Sequence, residues 1–374
     1  MNTRLYLREN GYYYVITNYR DAFGKRKQRW ISTKTKDYKK ALKVLERSKK
    51  DIILGHFQEG DNIIFSKFLI DWLETRVKVS CTVSTFEDYY NIINNQFIPF
   101  FGDKIKISTL RPIHIQRYID DLLKRGVSDA TVRKHYAIMS RAFKYALRMQ
   151  YIGKNPASYI ELPKHKKYKP LVYNQEELVK LLNASKDTLM ETPIVLAIAL
   201  GLRRGEVLGL RWENVDFKNK SVYICEIKVK VKGGEIIKEP KTEKSTRVLP
   251  LPSEITKYLY NLKQIQKENK KVFKEKFIDT DYVCTWPDGK PITLNYITTH
   301  IDNITKKAGL KKIRFHDLRH ANATFLFKQG LSLKEIQVWL GHSVMSTTAD
   351  IYTHLDDELK KRSSQAVSGL FKSF

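Results

Sequence analysis

The segment Arg314–Thr324, RFHDLRHANAT, brings His316, Arg319 and His320 within five residues, next to Arg314. If the stretch from His316 is helical, positions i, i+3 and i+4 share a face, so three donors point the same way. Like charges so placed repel, and the set persists only where it is solvated or where it meets an anion. The flanking Phe315, Leu318, Phe325 and Leu326 predict half burial, which weighs against simple solvation.

Three further boxes carry residues of the same character. In ALGLRRGEVLGLRW, Ala199–Trp212, Arg203 follows an apolar helix and precedes a helix beginning near Gly205, so a turn holds it. Glu206 falls in the first turn of that second helix, where a carboxylate suits the helix dipole and can orient an arginine. In EPKTEKSTRVLPL, Glu239–Leu251, Lys241 sits at or beside a hairpin turn, from which a lysine can swing over a cleft. In WLGHSVMSTTADIYTH, Trp339–His354, His342 follows Gly341 at a helix C-terminus and Tyr352 comes about a helix later. Taken singly, each has an ordinary explanation: a turn lysine solvates, and one tyrosine among 21 packs.

Composition names the class of anion. Lys and Arg number 68 against 40 Asp and Glu, a formal net charge of +28, which favours a polyanionic partner such as nucleic acid. The longest apolar run, Ile194–Leu200, is far short of the ~18 residues of a membrane span. The N-terminal MNTRLYLREN has no signal-peptide core, so a cytoplasmic protein is expected. Cys81, Cys225 and Cys284 are widely spaced, which speaks against disulfides and thiolate zinc. No HExxH pattern, carboxylate pair or Walker-type loop calls for a metal or ATP, and no cofactor is expected.

The elements that must position these residues divide the 374-residue chain into three domains of a multidomain α+β fold. Residues 1–60 read as three short strands and a helix from about Asp37 to Gly55, with Lys25, Arg26, Lys27 and Arg29 on the third strand as DNA-binding candidates. Residues 64–155 read as four helices, the second capped by Ser84 and the third closing on Gly126. Residues 156–170, rich in lysine and proline, read as a linker. Residues 171–374 begin with a capping box, Asn174 to Glu177, and form a mainly helical domain. Within it SVYICEIKVK, GGEIIKEP and STRVLPL supply a small sheet, and a tail carries Leu359, Val367, Leu370 and Phe371.

In order along the chain, GLRRGE, PKTEKSTR, HDLRH and LGHSVMSTTADIYTH resemble the tyrosine recombinases, the phage-integrase family of DNA strand-exchange enzymes. The resemblance covers the region from about Leu171 onward. The helical segment before it is similar to that family's core-binding domain, and residues 1 to about 60 to the arm-binding domain of integrases from phages and conjugative elements. Carried over by position, it implies that Arg203 and Arg319 clamp the scissile phosphate and that Tyr352 is the nucleophile. It further implies Lys241 as the general acid, His316 and His342 as hydrogen-bonding and proton-transfer groups, and Glu206 and His320 as supports behind them. It departs from the family at Leu200, where Thr often precedes GLR, and at Ala321 and Asn322 after HDLRH.

The function implied is integration and excision of a mobile element in a bacterial cell, through a 3′-phosphotyrosyl bond and a Holliday junction. The partners implied are core and arm DNA sites, excision or host DNA-bending factors, and further copies in a cyclic tetramer, with the tail docking on a neighbour. A chromosome-dimer resolvase or invertase, a type IB topoisomerase and a catalytically inactive architectural protein are the rival readings. The basic N-terminal domain and the intact set of candidate residues weigh against them.

Overall fold

The computed structural model describes residues 2–20, 25–53, 63–164, 171–240 and 245–341. The chain divides into two compact units, 1–166 and 167–374, and the division falls within the basic, proline-containing stretch expected as a linker.

The first unit opens with β1 (Asn2–Leu7), β2 (Tyr13–Arg20) and β3 (Arg26–Ser32), an antiparallel sheet in sequence order. Alternation along the strands sorts their side chains onto two faces. Leu5, Val15 and Ile31 are paired across one face, and Arg4, Ile16 and Trp30 across the other. Helix α1 (Tyr38–Ile53) covers the first face: Tyr13 meets Tyr38 ring to ring, and Val15, Thr17, Ala41 and Leu45 are buried. Asp37 starts that helix, its carboxylate accepting from the amides of Lys39 and Lys40.

Four helical runs follow in the same unit. α2 (Phe65–Trp72) passes through a π-helical turn, Leu73–Val77, into α3 (Lys78–Ser80). α4 (Val83–Ile92) passes through a second, Ile93–Phe97, into α5 (Ile98–Phe101). α6 (Pro112–Lys124) and α7 (Asp129–Arg148) complete the set, with Gly126 left-handed between them as the sequence predicts. Their aromatic core includes Phe65 stacked on Phe143 and Tyr118 hydrogen-bonded to the buried His135. Ser84 does not cap α4. The helix begins at Val83 with Thr82 in the cap position, and the Thr82 hydroxyl bonds the hydroxyls of Ser84 and Thr85, so the chain turns two residues early.

The second unit is mainly helical. α8 (Gln175–Ser185) starts on the expected box, the Asn174 side chain accepting from the Glu177 amide and Glu177 accepting from that of Asn174. α9 (Glu191–Leu200) is apolar on all sides and therefore buried, and Gly201 ends it in the left-handed conformation, φ 64°. α10 (Arg204–Gly209) follows within three residues. Beyond α10 come β4 (Val215–Asp216), β5 (Ser221–Ile224), β6 (Ile227–Val231), β7 (Gly234–Lys238) and β8 (Arg247–Pro250). Then come α11 (Ser253–Phe273), α12 (Leu294–Lys307), α13 (Asp317–Lys328) and α14 (Leu333–Leu340). Leu196, Leu200, Val207, Leu249, Ile297 and Leu318 lie in one core that spans these elements.

The expected single sheet is two. β5 pairs with β4 and β8, whereas β6 pairs only with β7 among the described residues, so SVYICEIKVK breaks at Cys225–Glu226. The break follows from α10. A Cβ on Gly205 would lie 2.6 Å from the Lys228 carbonyl oxygen, and one on Gly209 3.0 Å from that of Glu226. These two glycines let the β6 backbone lie directly on the helix instead of continuing the first sheet. Among the described residues β7 and β8 belong to different sheets, and Lys241, expected at or beside a hairpin turn between them, lies outside the described residues.

Gly201 is the joint on which the site depends. A Cβ there would sit 2.4 Å from Leu340 Cδ2 and 2.7 Å from Asn322 Oδ1, at a backbone angle that side chains rarely adopt. Left-handed strain and overpacking should together make Gly201→Ala about 2–4 kcal/mol less stable in chemical denaturation of the full chain. A loss below about 0.5 kcal/mol would contradict this packing.

Candidate active site

One carboxylate organises the site. Glu206, in the first turn of α10, is 1% exposed and faces three arginines from three elements. Arg203 donates to it twice, from its backbone amide to Oε2 at 3.0 Å and from Nη1 to Oε1 at 2.6 Å. Arg247 of β8 donates Nη2 to Oε2 at 3.1 Å, and Arg319 Nη1 of α13 lies 3.8 Å from the same oxygen. Burial pushes the Glu206 carboxyl up, but the charges of Arg247, Arg203 and Arg319 together hold it below the ordinary carboxylate range. The four groups carry a formal charge of +2, a standing attraction for an anion.

The arginines also share the end of α14. The carbonyl of Trp339 accepts from Arg247 Nε at 2.9 Å, that of Leu340 from Arg319 Nη2 at 2.5 Å, and that of Gly341 from Arg203 Nη2 at 3.3 Å. Gly341 is left-handed, φ 67°, so the helix stops there and turns its last carbonyls to the cations, as the helix dipole favours. Arg319 Nη1 donates in addition to the Gly201 carbonyl at 2.7 Å.

The helix expected over HDLRH exists, but its donors are graded in depth. α13 starts at Asp317, whose carboxylate accepts from the Arg314 backbone amide and guanidinium, with His316 at the cap. His316 is exposed, His320 is half-buried and Arg319 is only 1% exposed, so Arg319 turns inward while the histidines stay near the surface. The two imidazoles meet edge to face, centroids 5.1 Å apart. Although His316 as a residue reaches solvent, protein packed around it, followed by His320, Arg319 and Arg203, pushes its pKa down to about 4. Burial is likewise the main cause that lowers His320. Both are neutral at neutral pH, which removes the expected histidine repulsion and leaves the arginines as the cations.

Arg203, Glu206, His316, Arg319 and His320 are thus brought together. Lys241, His342 and Tyr352 lie outside the described residues. Sequence reasoning missed Arg247, although it lies in a box already marked; its direction depends on which face of β8 is buried. It also treated Asn322 only as a departure. Asn322 is 4% exposed and its amide donates to the carbonyls of Ile198 and Ala199, closing the end of α9 just ahead of Gly201.

The N-terminal candidates divide by strand parity. Lys25 precedes β3, Arg26 shares a face with Arg4 and Trp30, and Lys27 and Arg29 project to the face that α1 covers. The other face carries a cluster not anticipated from sequence: Tyr6 against Trp30, with the Arg8 guanidinium over the rings of Tyr14 and Trp30.

Residues 172–358 match the phage integrase family, and residues 64–123 match the phage integrase N-terminal SAM-like domain. A tyrosine recombinase XerC-like protein of Caldanaerobacter subterraneus subsp. tengcongensis is 30% identical, over 98% of either chain. The chain belongs to the phage integrase family. The ICEBs1 integrase of Bacillus subtilis is 27% identical to it, over 78% of this chain and 80% of that one. The fold is shared with the Tn1549 transposon integrase in complex with transposon right end DNA, TM-score 0.69 at 19% identity, covering 81% of this chain and all of that one. It is shared too with a lambda integrase tetramer bound to a Holliday junction, TM-score 0.60 at 18% identity, covering 93% and 94%. This integrase is a tyrosine-type site-specific DNA recombinase. Its matched segment contains every member of the arginine and histidine cluster.

The neutral histidines have a pH signature. Their folded pKa values lie below the ~6.5 of an unfolded chain, so below that pH the unfolded state binds more protons. Stability should therefore be full above about pH 6.5 and fall as pH drops toward 4. Thermal unfolding of the full integrase should show that decline, with a shallower slope for a His316→Gln/His320→Gln variant. His135, lowered by burial in the first unit, contributes equally to both proteins. Equal slopes would contradict neutral histidines in this site.

Proposed function

We propose that this recombinase integrates and excises a mobile DNA element, phage or conjugative, through a 3′-phosphotyrosyl intermediate on Tyr352. The observation that carries the reading is the set of guanidiniums on buried Glu206, with Arg203 and His316 at its accessible rim.

A phosphodiester under attack gains negative charge as it becomes pentavalent, and rigid guanidinium forks favour that state over the ground state. Arg203 and Arg319 supply the forks, and Glu206 keeps them oriented although they repel each other. A tyrosine phenol, whose reference pKa is about 10, is a weak nucleophile unless its proton is accepted. His316, held neutral, takes the proton of Tyr352 as the phenolic oxygen bonds to phosphorus. The bond to the 5′-oxygen then breaks, and Lys241 protonates the leaving oxygen. His342 hydrogen-bonds the phosphate. A free 5′-hydroxyl from a partner duplex reverses the step, releasing Tyr352 and joining the strands into a Holliday junction. The energy of the broken bond stays in the phosphotyrosine, so the scheme uses neither ATP nor metal.

The remaining regions hold the DNA. Residues 64–155 and 171–374 clamp the core site, and the +28 charge makes phosphate contacts, with their salt dependence, the main source of affinity. Residues 1–60 bind arm sites through the open sheet face of Arg4, Tyr6, Arg26 and Trp30, as β-sheet readers do in a groove. Four copies assemble on the two core sites, with the tail docking on a neighbour. Excision or DNA-bending factors select the direction.

Two experiments test this. Wild type and Tyr352→Phe are incubated with nicked core duplexes in EDTA without ATP and run on a denaturing gel. A covalent adduct is expected for wild type alone; no adduct from wild type on DNA that it binds would contradict the proposal. For the arm sites, Arg4→Ala/Arg26→Ala should weaken binding roughly tenfold or more, and Lys27→Ala/Arg29→Ala by no more than about threefold. The reverse order would place the reading face on the wrong side of the sheet.

A further inference from the structure

Arg247 has no part in the strand-transfer scheme above, yet all three nitrogens of its guanidinium are engaged. Each of its three nitrogens donates to a different piece of chain: Nε to the Trp339 carbonyl, Nη1 to the Ser245 carbonyl and Nη2 to Glu206 Oε2. Its side chain is only 7% exposed, so it stands behind Arg203, whose side chain is 34% exposed. It therefore joins the first turn of α10, the entry to β8 and the end of α14. Lys241 lies four residues before Ser245, and His342 three after Trp339.

Without Arg247, Glu206 Oε2 would retain the Arg203 amide and a contact with Arg319 at 3.8 Å, too long for a hydrogen bond. The carboxylate would then be free to follow Arg203, and the two forks would lose their common reference.

We propose that Arg247 is a positioning residue for DNA cleavage. It fixes the Glu206 carboxylate and the α14 terminus so that Arg203 and Arg319 meet the charge developing on the scissile phosphate, without touching the phosphate itself. The inference rests on the reading of this cluster as the phosphate site. Its chemistry requires a planar fork: three acceptors around one guanidinium cannot be served together by an ammonium, which keeps the charge but not the geometry. Arg247→Lys is thus the informative change.

The test is single-turnover cleavage by the full chain of a nicked core duplex, in two versions. One has the natural phosphodiester at the cleavage site and the other a methylphosphonate, which lacks the negative charge. Arg247→Lys is expected to fold and to bind DNA within about threefold of wild type, while cleaving the phosphodiester on the order of 100-fold more slowly, as a small misplacement of catalytic groups does. On the neutral methylphosphonate the gap to wild type should shrink to less than about tenfold, because charge neutralisation by the forks matters less there.

Wild-type cleavage of the phosphodiester by a folded Arg247→Lys would overturn the proposal, as would an equal loss on both substrates, the mark of a purely structural role. If the lysine variant does not fold, Arg247→Gln, which can still donate one amide hydrogen bond to Glu206, goes through the same pair. Failure of both to fold would likewise make Arg247 a structural residue and overturn the proposal. Absence of any adduct from wild type on DNA that it binds would instead remove the phosphate-site reading itself.

Discussion

A single buried carboxylate against three guanidiniums is the constraint around which the second unit is arranged. Glu206 alone would be expensive to bury, and the arginines alone would repel; together they persist because each offsets the cost of the others. Removing one partner from such a set costs about 3–5 kcal/mol, since an uncompensated charge is left in the interior. Four pieces of chain must therefore arrive at one point. α10 supplies its first turn, β8 its first residue, α13 its third and α14 its last carbonyls. Two left-handed glycines, Gly201 and Gly341, end their helices at that point and turn carbonyl oxygens toward the guanidiniums.

The same constraint explains why the site is stable before DNA arrives. Cations that await a phosphate would disperse if only solvent faced them. Here backbone carbonyls and Glu206 occupy part of each fork, so the geometry is preset while the set keeps its formal positive charge. Preorganised donors of this kind need little rearrangement as charge develops on the reacting phosphate.

Much of this was legible in the sequence because its signals are local. Asn174 and Glu177 announce a helix start within four residues, and Arg203, Gly201 and Glu206 announce a helix end and a new beginning within six. HDLRH gives the i, i+4 histidine contact directly. What escaped depends on partners distant in sequence. Arg247 is one residue of a four-residue strand, and its inward direction is set by β5 and by Glu206, 41 positions away. Strand parity had the same effect at the N-terminus, where Arg26 and Lys27 are neighbours in sequence but lie on opposite faces, because register fixes which face α1 covers. The break in SVYICEIKVK was hidden for a similar reason, since it reflects the approach of two α10 glycines and not any turn residue at Cys225–Glu226.

The most direct measurement is the structure of full-length Tyr352→Phe on a core duplex carrying an intact scissile phosphate. Guanidinium nitrogens of both Arg203 and Arg319 are expected within about 3.2 Å of oxygens on that phosphate, with Glu206 still held by Arg203 and Arg247. A scissile phosphate seated out of reach of Arg203 and Arg319 would contradict that site.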